Sequence, residues 1–214
     1  MDDIAERIEH TVLGPLTDRD AVSAVLDDAM KFGMRACIPP CYVDHAVEYT
    51  PNVECATVVG FPHGQHTVET KCREATQAWK TGVDEIDLVP NLGQAAAGEL
   101  DAFEAELEEV AAAVPIPIKV ILEAPLFDEQ DLREIASVAA ETDVDFLKTA
   151  TGFADGGATV ADVELLAEYA PVKASGGIDS WETAEAMFEA GAERIGASSG
   201  DVIVEEYRQQ TREE

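Results

Sequence analysis

The apolar positions of the chain alternate between helical spacing and short strand-like runs. One helical stripe, spaced i, i+3, i+4, i+7 and i+8, consists of Val22, Val25, Leu26, Ala29 and Met30. Thr17 and Asp20 form a cap-like pair that predicts where this helix begins. A second stripe consists of Leu100, Phe103, Leu107, Val110 and Val114. Both stripes predict amphipathic helices that pack one face against a core.

Glycines end the helical stretches, and a short apolar run follows each of Gly33, Gly82 and Gly191. The runs predict eight strands, at residues 8–12, 35–38, 54–59, 85–89, 117–122, 146–149, 172–174 and 194–196. Strands that alternate with helices pair in parallel, and their number predicts closure into an α/β fold of the (β/α)8 TIM barrel type. We expect a single domain over residues 1–214. An open doubly wound sheet is the alternative, but it normally has fewer strands and a Gly-x-Gly-x-x-Gly turn, which this sequence lacks.

The composition is that of a soluble globular protein, with 46% apolar residues and no apolar run long enough to span a membrane. The first residues, Met1-Asp2-Asp3-Ile4, lack the basic and apolar regions of a secretory signal, so we expect a cytoplasmic location. Free thiols are then expected at Cys37, Cys41, Cys55 and Cys72.

The formal net charge is −30, from 44 acidic residues against 14 Lys and Arg. Nucleic acids and anionic membranes are therefore poor partners. The acids are spread along the predicted helices and are not gathered in a calcium-binding loop. This pattern favours a solvated acidic surface adapted to high salt, where screening makes the self-repulsion tolerable. We expect a halophilic protein.

Lysine is scarce, yet three of the six lysines, Lys119, Lys148 and Lys173, lie inside apolar strand-like stretches. A charged group is costly to desolvate there, which points to chemistry. In a barrel the active site forms at the carboxyl ends of the strands. The polar residues at or near those ends are Asp87, Glu123, Lys148, Thr149 and Lys173.

Lys148 and Lys173 end consecutive predicted strands, so their side chains can converge. Two ammonium groups about 6 Å apart repel by roughly 2.8 kcal/mol at an effective dielectric near 20, which lowers the pKa of one of them. Because only a free amine attacks a carbonyl, the pair suggests a Schiff-base enzyme in which one lysine attacks, the other tunes its pKa, and Asp87 helps to move protons. The alternative is a buried Lys–Asp ion pair without turnover.

Two glycine- and serine-rich turns follow the last strands, at residues 175–178 and 196–200. Barrels commonly bind phosphate after strands seven and eight, where backbone N–H groups and helix N-termini meet an anion. A phosphorylated substrate is therefore expected. No metal or cofactor is expected, because the cysteines lack zinc-site spacing and His63 and His66 have no evident third ligand.

Eight blocks, in the same order, resemble the 2-deoxyribose-5-phosphate aldolase family over nearly the full length. They are IEHT (8–11), ACIPPCYV (36–43), GFPHG (60–64), DEIDLV (84–89), DFLKTATGF (145–153), GGAT (156–159), VKASGGI (172–178) and RIGASS (194–199). The resemblance implies a class I aldolase that reversibly cleaves 2-deoxy-D-ribose 5-phosphate into acetaldehyde and D-glyceraldehyde 3-phosphate, in deoxynucleoside catabolism. It also implies a homodimer or homotetramer.

The resemblance assigns Lys148 as the Schiff-base lysine, Lys173 as the lysine that tunes it, and Asp87 as the carboxylate of the proton relay. Residues that it places around the phosphate are Gly152, Gly176, Gly177, Gly196, Ser198 and Ser199. Residues that it places along the rest of the site are Cys37, Thr149 and Thr151.

Four positions depart from the family's usual residues: Glu9 replaces Asp, Gly14 replaces Lys, Ala150 replaces Ser, and Asp179 replaces Arg. Asp179 weakens phosphate binding unless it points away or caps the next helix together with Glu182.

Two alternatives to this function stay open. One is a barrel that binds sugar phosphates without turnover, although such a protein has no reason to retain two desolvated lysines. The other is a Schiff-base aldolase with a different donor, such as dihydroxyacetone phosphate.

Overall fold

A computed structural model describes residues 4–213. Eight parallel strands close into a barrel in chain order, with β8 beside β1. They are Ile8–Thr11 (β1), Arg35–Ile38 (β2), Cys55–Val59 (β3), Glu85–Leu88 (β4), Ile118–Ile121 (β5), Phe146–Lys148 (β6), Val172–Ser175 (β7) and Ala192–Ala197 (β8). All eight predicted strands are confirmed, with ends that differ by up to two residues. Closure of the barrel excludes the open doubly wound sheet.

Helices surround the barrel. They are Arg19–Phe32 (α1), Val43–Tyr49 (α2), Val68–Thr81 (α3), Leu92–Ala96 (α4), Leu100–Ala112 (α5), Glu129–Ala140 (α6), Val160–Leu166 (α7), Trp181–Glu189 (α8) and Gly200–Glu213 (α9). Short 3-10 helices occupy Ile4–Arg7, Pro40–Tyr42 and Ala124–Leu126. Within the described part of the chain, every helix is too short or too polar to cross a membrane.

Glycines end two helices as predicted, since Gly33 and Gly82 adopt left-handed backbone angles after α1 and α3. The predicted start of α1 is wrong by one residue. Asp18 is the N-cap, because its carboxylate accepts a hydrogen bond from the Ala21 N–H. The predicted core position Met30 is also wrong. It is 51% exposed, at the edge of the stripe, and Phe32 is buried in the same helix.

The apolar core lies mainly between the outer face of the sheet and the helices. The interior of the barrel has an apolar part and a charged part. Beneath β2 and β3 a small apolar cluster contains Cys37, Ala56 and Val58. The remaining strands send charged side chains inward, and these form the site described below.

The strand register determines which side chains meet inside the barrel. Lys148 on β6 pairs with Lys173 on β7, and Asp87 on β4 pairs with Lys119 on β5. Paired residues of parallel neighbours point to the same face of a sheet. The register therefore brings three lysines and a carboxylate to the inner face.

Candidate active site

The centre of the site is one carboxylate oxygen that two lysines share. The Nζ atoms of Lys148 and Lys173 donate to Asp87 Oδ2, at 2.6 Å and 2.7 Å. Because both ammonium groups bind one oxygen atom, they are closer together than the roughly 6 Å at which their repulsion already matters. The structure thus brings together the three predicted catalytic residues.

Two further charged groups complete this centre. Lys119 Nζ donates to the other carboxylate oxygen of Asp87 at 3.0 Å and lies 3.5 Å from Glu9 Oε1. Glu9 also accepts a hydrogen bond from Lys173. Glu9, Asp87, Lys119 and Lys173 are all fully buried, so each charge depends on its partners for stabilisation.

The ion pairs continue toward the opposite end of the barrel. Lys119 Nζ lies 2.6 Å from Glu85 Oε2, and the same carboxylate contacts Arg194 and Arg35. Arg35 also contacts Glu54, which is exposed. A chain of charges therefore runs through the barrel from its mouth to its base.

The buried charges shift one another's pKa values. Burial alone would raise the pKa of the Asp87 carboxyl, but Lys119, Lys148 and Lys173 hold it well below its usual range. Burial alone would lower the pKa of Lys173, but Asp87 and Glu9 hold it above its usual value. Asp87 is therefore a carboxylate and Lys173 an ammonium ion at neutral pH.

A cavity of about 320 Å³ opens at the carboxyl ends of the strands. Lys148 lines it, whereas Lys173 and Asp87 lie beneath its floor. Six of the nine predicted binding residues also line it, namely Thr151, Gly152, Gly176, Gly177, Gly196 and Ser198. Lys148 is thus the lysine that a molecule in the cavity meets first.

The other three predicted binding residues lie outside the cavity wall. The Thr149 hydroxyl joins two strands, because it donates to the Ser175 carbonyl and accepts from the Ser175 N–H, both at 2.9 Å. Cys37 is buried, and burial together with the charge of Asp87 raises the pKa of its thiol to about 11. Ser199 lies at the start of α9, where its carbonyl accepts from the Ile203 N–H.

Gly196 creates room for a buried lysine. A Cβ atom at this position would lie 2.8 Å from Lys173 Cε and 3.2 Å from Ser175 Cβ. Any larger residue would push the lysine stem away from Asp87. This glycine therefore shapes the charged centre as well as the cavity wall.

Asp179 lines the cavity and is exposed. It does not cap the next helix together with Glu182, which is one of the two arrangements that would keep it from weakening phosphate binding. Ser180 is the N-cap of α8, because its hydroxyl accepts a hydrogen bond from the Thr183 N–H. Lys148 and Asp179 are the charged side chains among the residues that line the cavity. Asp179 therefore stays free to repel an anion there.

One group of potential metal ligands occurs among the described residues. Ligand atoms of Glu9, Cys37 and Asp87 lie within 4.8 Å of one another. The two carboxylates already contact lysine ammonium groups, and the positive charge of these groups opposes a metal cation. These residues therefore fit an ion-pair centre better than a metal centre.

Part of this centre is not predictable from the sequence. Lys119 is identifiable only as a lysine within an apolar run, and Glu9 only as a departure from a family pattern. Glu85 and Arg194 carry no sequence signal that links them to a site. They meet because a closed barrel brings together side chains from strands far apart in the chain.

A closed parallel barrel with a lysine–carboxylate centre at its mouth is typical of class I aldolases. A profile of DeoC/LacD family aldolases matches residues 22–204. The chain belongs to this family.

The chain is also similar in sequence and structure to particular aldolases. The chain is 56% identical to the deoxyribose-phosphate aldolase of Haloarcula marismortui over 211 residues, which is 99% of this chain and 91% of that protein. Its structure superposes on an aldolase called QR15 with a TM-score of 0.95, at 34% identity and 99% coverage of both chains. The deoxyribose phosphate aldolase of Aeropyrum pernix, described as a tetramer, gives a TM-score of 0.89 at 30% identity, with 97% and 92% coverage.

Proposed function

We propose that the protein reversibly cleaves 2-deoxy-D-ribose 5-phosphate to acetaldehyde and D-glyceraldehyde 3-phosphate through a Schiff base on Lys148. One observation carries the assignment of the lysine. Lys148 both contacts the Asp87 carboxylate and lines the cavity, whereas Lys119 and Lys173 are sealed below it. The name of the Haloarcula marismortui relative supports the choice of substrate.

The reaction begins when the neutral Lys148 amine adds to the C1 aldehyde, and loss of water gives an iminium ion. Removal of the C3 hydroxyl proton then breaks the C2–C3 bond, and its electron pair moves into the iminium group to form an enamine. Glyceraldehyde 3-phosphate leaves. Protonation of the enamine at C2 and hydrolysis of the resulting iminium ion release acetaldehyde and regenerate Lys148.

Asp87 and Lys173 serve the proton transfers. Lys173 is protonated and shares Asp87 Oδ2 with Lys148, so it is a proton donor next to the reacting nitrogen. Asp87 holds the two lysines at one point and, with Lys173 and water, forms the relay that protonates the enamine. Lys119 and Glu9 balance the charge of this centre from below.

The phosphate group is assigned to the side of the cavity built from the turns after β6, β7 and β8. The residues proposed around it are Gly152, Gly176, Gly177, Gly196, Ser198 and Ser199. Support comes from the small side chains there and from the N-terminus of α9, whose helix dipole favours an anion. Thr151 completes the wall, while Thr149 and Cys37 support it from behind.

We also propose where the enzyme acts and how its chain is organised. The charge of −30 and the Haloarcula marismortui relative support a salt-adapted protein that acts in the cytoplasm. The tetramer described for the Aeropyrum pernix protein supports a homo-oligomer. We also propose that residues 1–214 form one domain.

The proposal is tested by trapping the Schiff base. Wild type, Lys148→Ala and Lys173→Ala are incubated with acetaldehyde and borohydride in high salt, and intact mass is measured. The wild type is expected to gain one reduced adduct, and Lys148→Ala to gain none. Lys173→Ala, a matched loss of a buried lysine, keeps the site of the adduct but forms it more slowly.

Product analysis completes the test. Release of acetaldehyde from 2-deoxy-D-ribose 5-phosphate identifies the donor and separates this enzyme from a dihydroxyacetone phosphate aldolase. A folded wild type that forms no adduct and releases no acetaldehyde would contradict the proposal and favour a barrel that binds sugar phosphates without turnover.

A further inference from the structure

His10 lies on β1 and is 4% exposed, and the proposed mechanism gives it no role. Its Nδ1 atom is 3.1 Å from the backbone nitrogen of Gly200. Because the Gly200 N–H is a donor, Nδ1 must accept, and the proton of a neutral imidazole then lies on Nε2. Nε2 is 3.8 Å from Asp28 Oδ2 on α1. The ring therefore bridges the first helix and the start of the last.

The contact between His10 and Gly200 is tight. A Cβ atom at position 200 would lie 2.9 Å from His10 Nδ1 and 3.0 Å from Ile8 Cγ2. Gly200 is the first residue of α9, so the hydrogen bond satisfies an N–H that has no partner within the helix. The histidine thus fixes the position of this helix end against the barrel.

The four residues from Ala197 to Gly200, here called the β8–α9 turn, connect this contact to the cavity. Ala197 and Ser198 line the cavity, and Ala197 is the β8 residue that pairs with His10 across the β1–β8 seam of the barrel. His10 therefore contacts both ends of the turn from the side opposite the cavity. The polar contacts of the ring go to Gly200 and Asp28, and neither Lys148 nor Asp87 is among them.

Burial keeps the His10 ring in the neutral form, which accepts a hydrogen bond. Burial lowers the pKa of His10, while Asp28 on α1 and Asp201 on α9 oppose this shift. The net direction is downward, so the imidazole is neutral at pH 7 and its Nδ1 lone pair stays available to Gly200.

We propose that His10 is a positioning residue that holds the β8–α9 turn in the conformation that binds the phosphate group of the substrate. The inference rests on the proposed function, because that function places the phosphate at this turn. It assigns His10 an effect on phosphate affinity and none on the chemical step at Lys148.

The test compares three variants of His10. His10→Asn keeps a side-chain acceptor near the position of Nδ1, so it is expected to retain the KM for 2-deoxy-D-ribose 5-phosphate within about threefold. His10→Leu keeps a similar volume but leaves the Gly200 N–H without its acceptor, and its KM is expected to rise about tenfold with little change in kcat. His10→Gln, whose amide lies beyond the Nδ1 position, is a second loss variant if His10→Leu fails to fold.

Two controls separate positioning from general damage. Cleavage of unphosphorylated 2-deoxyribose and the rate of borohydride trapping with acetaldehyde are expected to be unchanged in all three variants. His45→Leu removes a histidine that bonds to Ser23 on the outside of the barrel, and its KM is expected to match the wild type. A fall in kcat with unchanged KM, or equal losses in His10→Asn and His10→Leu, would overturn the inference.

Calorimetric binding of inorganic phosphate keeps this test separate from the proposed function. Affinity for phosphate is expected to fall about tenfold in His10→Leu and to recover in His10→Asn. If the wild type fails to cleave the sugar phosphate but the variants show this pattern, the proposed function fails and the positioning role stands. Equal phosphate affinity in the wild type and all variants would overturn the positioning role alone.

Discussion

At the scale of single residues, the two lysines that share Asp87 differ in their access to the cavity. Lys148 is 3% exposed and lines it, whereas Lys173 is fully buried and also bonded to Glu9. Neighbouring positions in paired strands thus give one lysine that faces the cavity and one that remains charged behind it. In the sequence the two lysines have similar surroundings. Their different access to the cavity depends on strands that are distant in the chain.

Asp179 gives a prediction about phosphate affinity. Its carboxylate is exposed and lines the cavity, so replacement by Arg changes repulsion of the phosphate into attraction. The KM of Asp179→Arg for 2-deoxy-D-ribose 5-phosphate is expected to fall about fivefold, the effect of a screened surface charge. Steady-state kinetics at low and high salt measure it, and the benefit shrinks as salt rises.

A matched variant controls for net charge. Asp101→Arg makes the same change on the exposed face of α5 and is expected to leave KM unchanged. If both variants lower KM equally, the effect comes from the overall charge of the protein. If neither lowers KM, Asp179 does not face the phosphate.

Glu85 gives a prediction about pH. Burial alone would raise its pKa, but Lys119 and Arg194 lower it to about 2. Because this value is below the unfolded value of 4.5, the carboxylate stabilises the fold above pH 4.5 and loses this effect as pH falls toward 2. Glu85→Gln is expected to lose roughly 3 kcal/mol of unfolding free energy at pH 7, because Lys119, Arg194 and Arg35 each lose one of their carboxylate partners.

Denaturant unfolding in high salt, at pH 7 and pH 3, measures this contribution. The difference in unfolding free energy between wild type and Glu85→Gln should be smaller at pH 3 than at pH 7. A gap of equal size at both pH values would show that the carboxylate acts through packing and not through its charge.

At the scale of secondary structure elements, Glu123 links the ends of two strands. It follows β5 by two positions and has a φ of +48°, a left-handed angle that is strained for a residue other than glycine. Its carboxylate accepts from the Thr151 N–H at 3.1 Å and from the Thr151 hydroxyl. The strained backbone therefore aims a buried carboxylate at the loop after β6.

Removal of that carboxylate should loosen the loop that carries Gly152. Glu123→Ala is expected to lose about 2 kcal/mol of unfolding free energy and to raise KM several-fold, because the Thr151 N–H loses its partner. Glu123→Gln retains one acceptor and should recover part of both effects. Glu108→Ala, on the exposed side of α5, is the control. If Glu123→Ala has the kinetics of the wild type, the loop does not depend on this link.

The elements themselves were largely predictable from sequence. Each strand is a short apolar run of its own, and the residues beside Gly33 and Gly82 indicate helix ends directly. Caps were less predictable, because Thr17 and Asp18 are both good capping residues and the backbone selects between them. The inner ion network was not predictable beyond its lysines, since strand alternation shows which residues share a face but not which face is inside.

At the scale of the whole molecule, charge is divided between two regions. The buried charged residues described are nearly balanced, with five acids and four lysines. Almost all of the net charge of −30 therefore lies on the exterior, where solvent ions screen it. Glu9, Asp87, Lys119 and Lys173 in the buried centre are fully buried and do not contact those ions.

This division predicts different salt responses for stability and for chemistry. The melting temperature is expected to rise by about 10 °C or more between 0.1 M and 2 M potassium chloride, because screening reduces repulsion in the compact state. The rate of the chemical step, measured by single turnover on folded protein, should change by less than about twofold. Circular dichroism and rapid quench measure the two quantities. An unchanged melting temperature would contradict salt adaptation.

The placement of the buried charges also has a consequence for how the protein diverges. Helix faces that meet solvent can exchange acidic residues for neutral ones, and so follow the salinity of a habitat, without touching the barrel interior. The interior is constrained in the opposite way, because Lys119, Lys148 and Lys173 share acids, so replacing one of them alters the charge balance around the others. Exposed residues of this barrel can thus vary with the salt concentration of the surroundings, whereas the buried charged residues must change together.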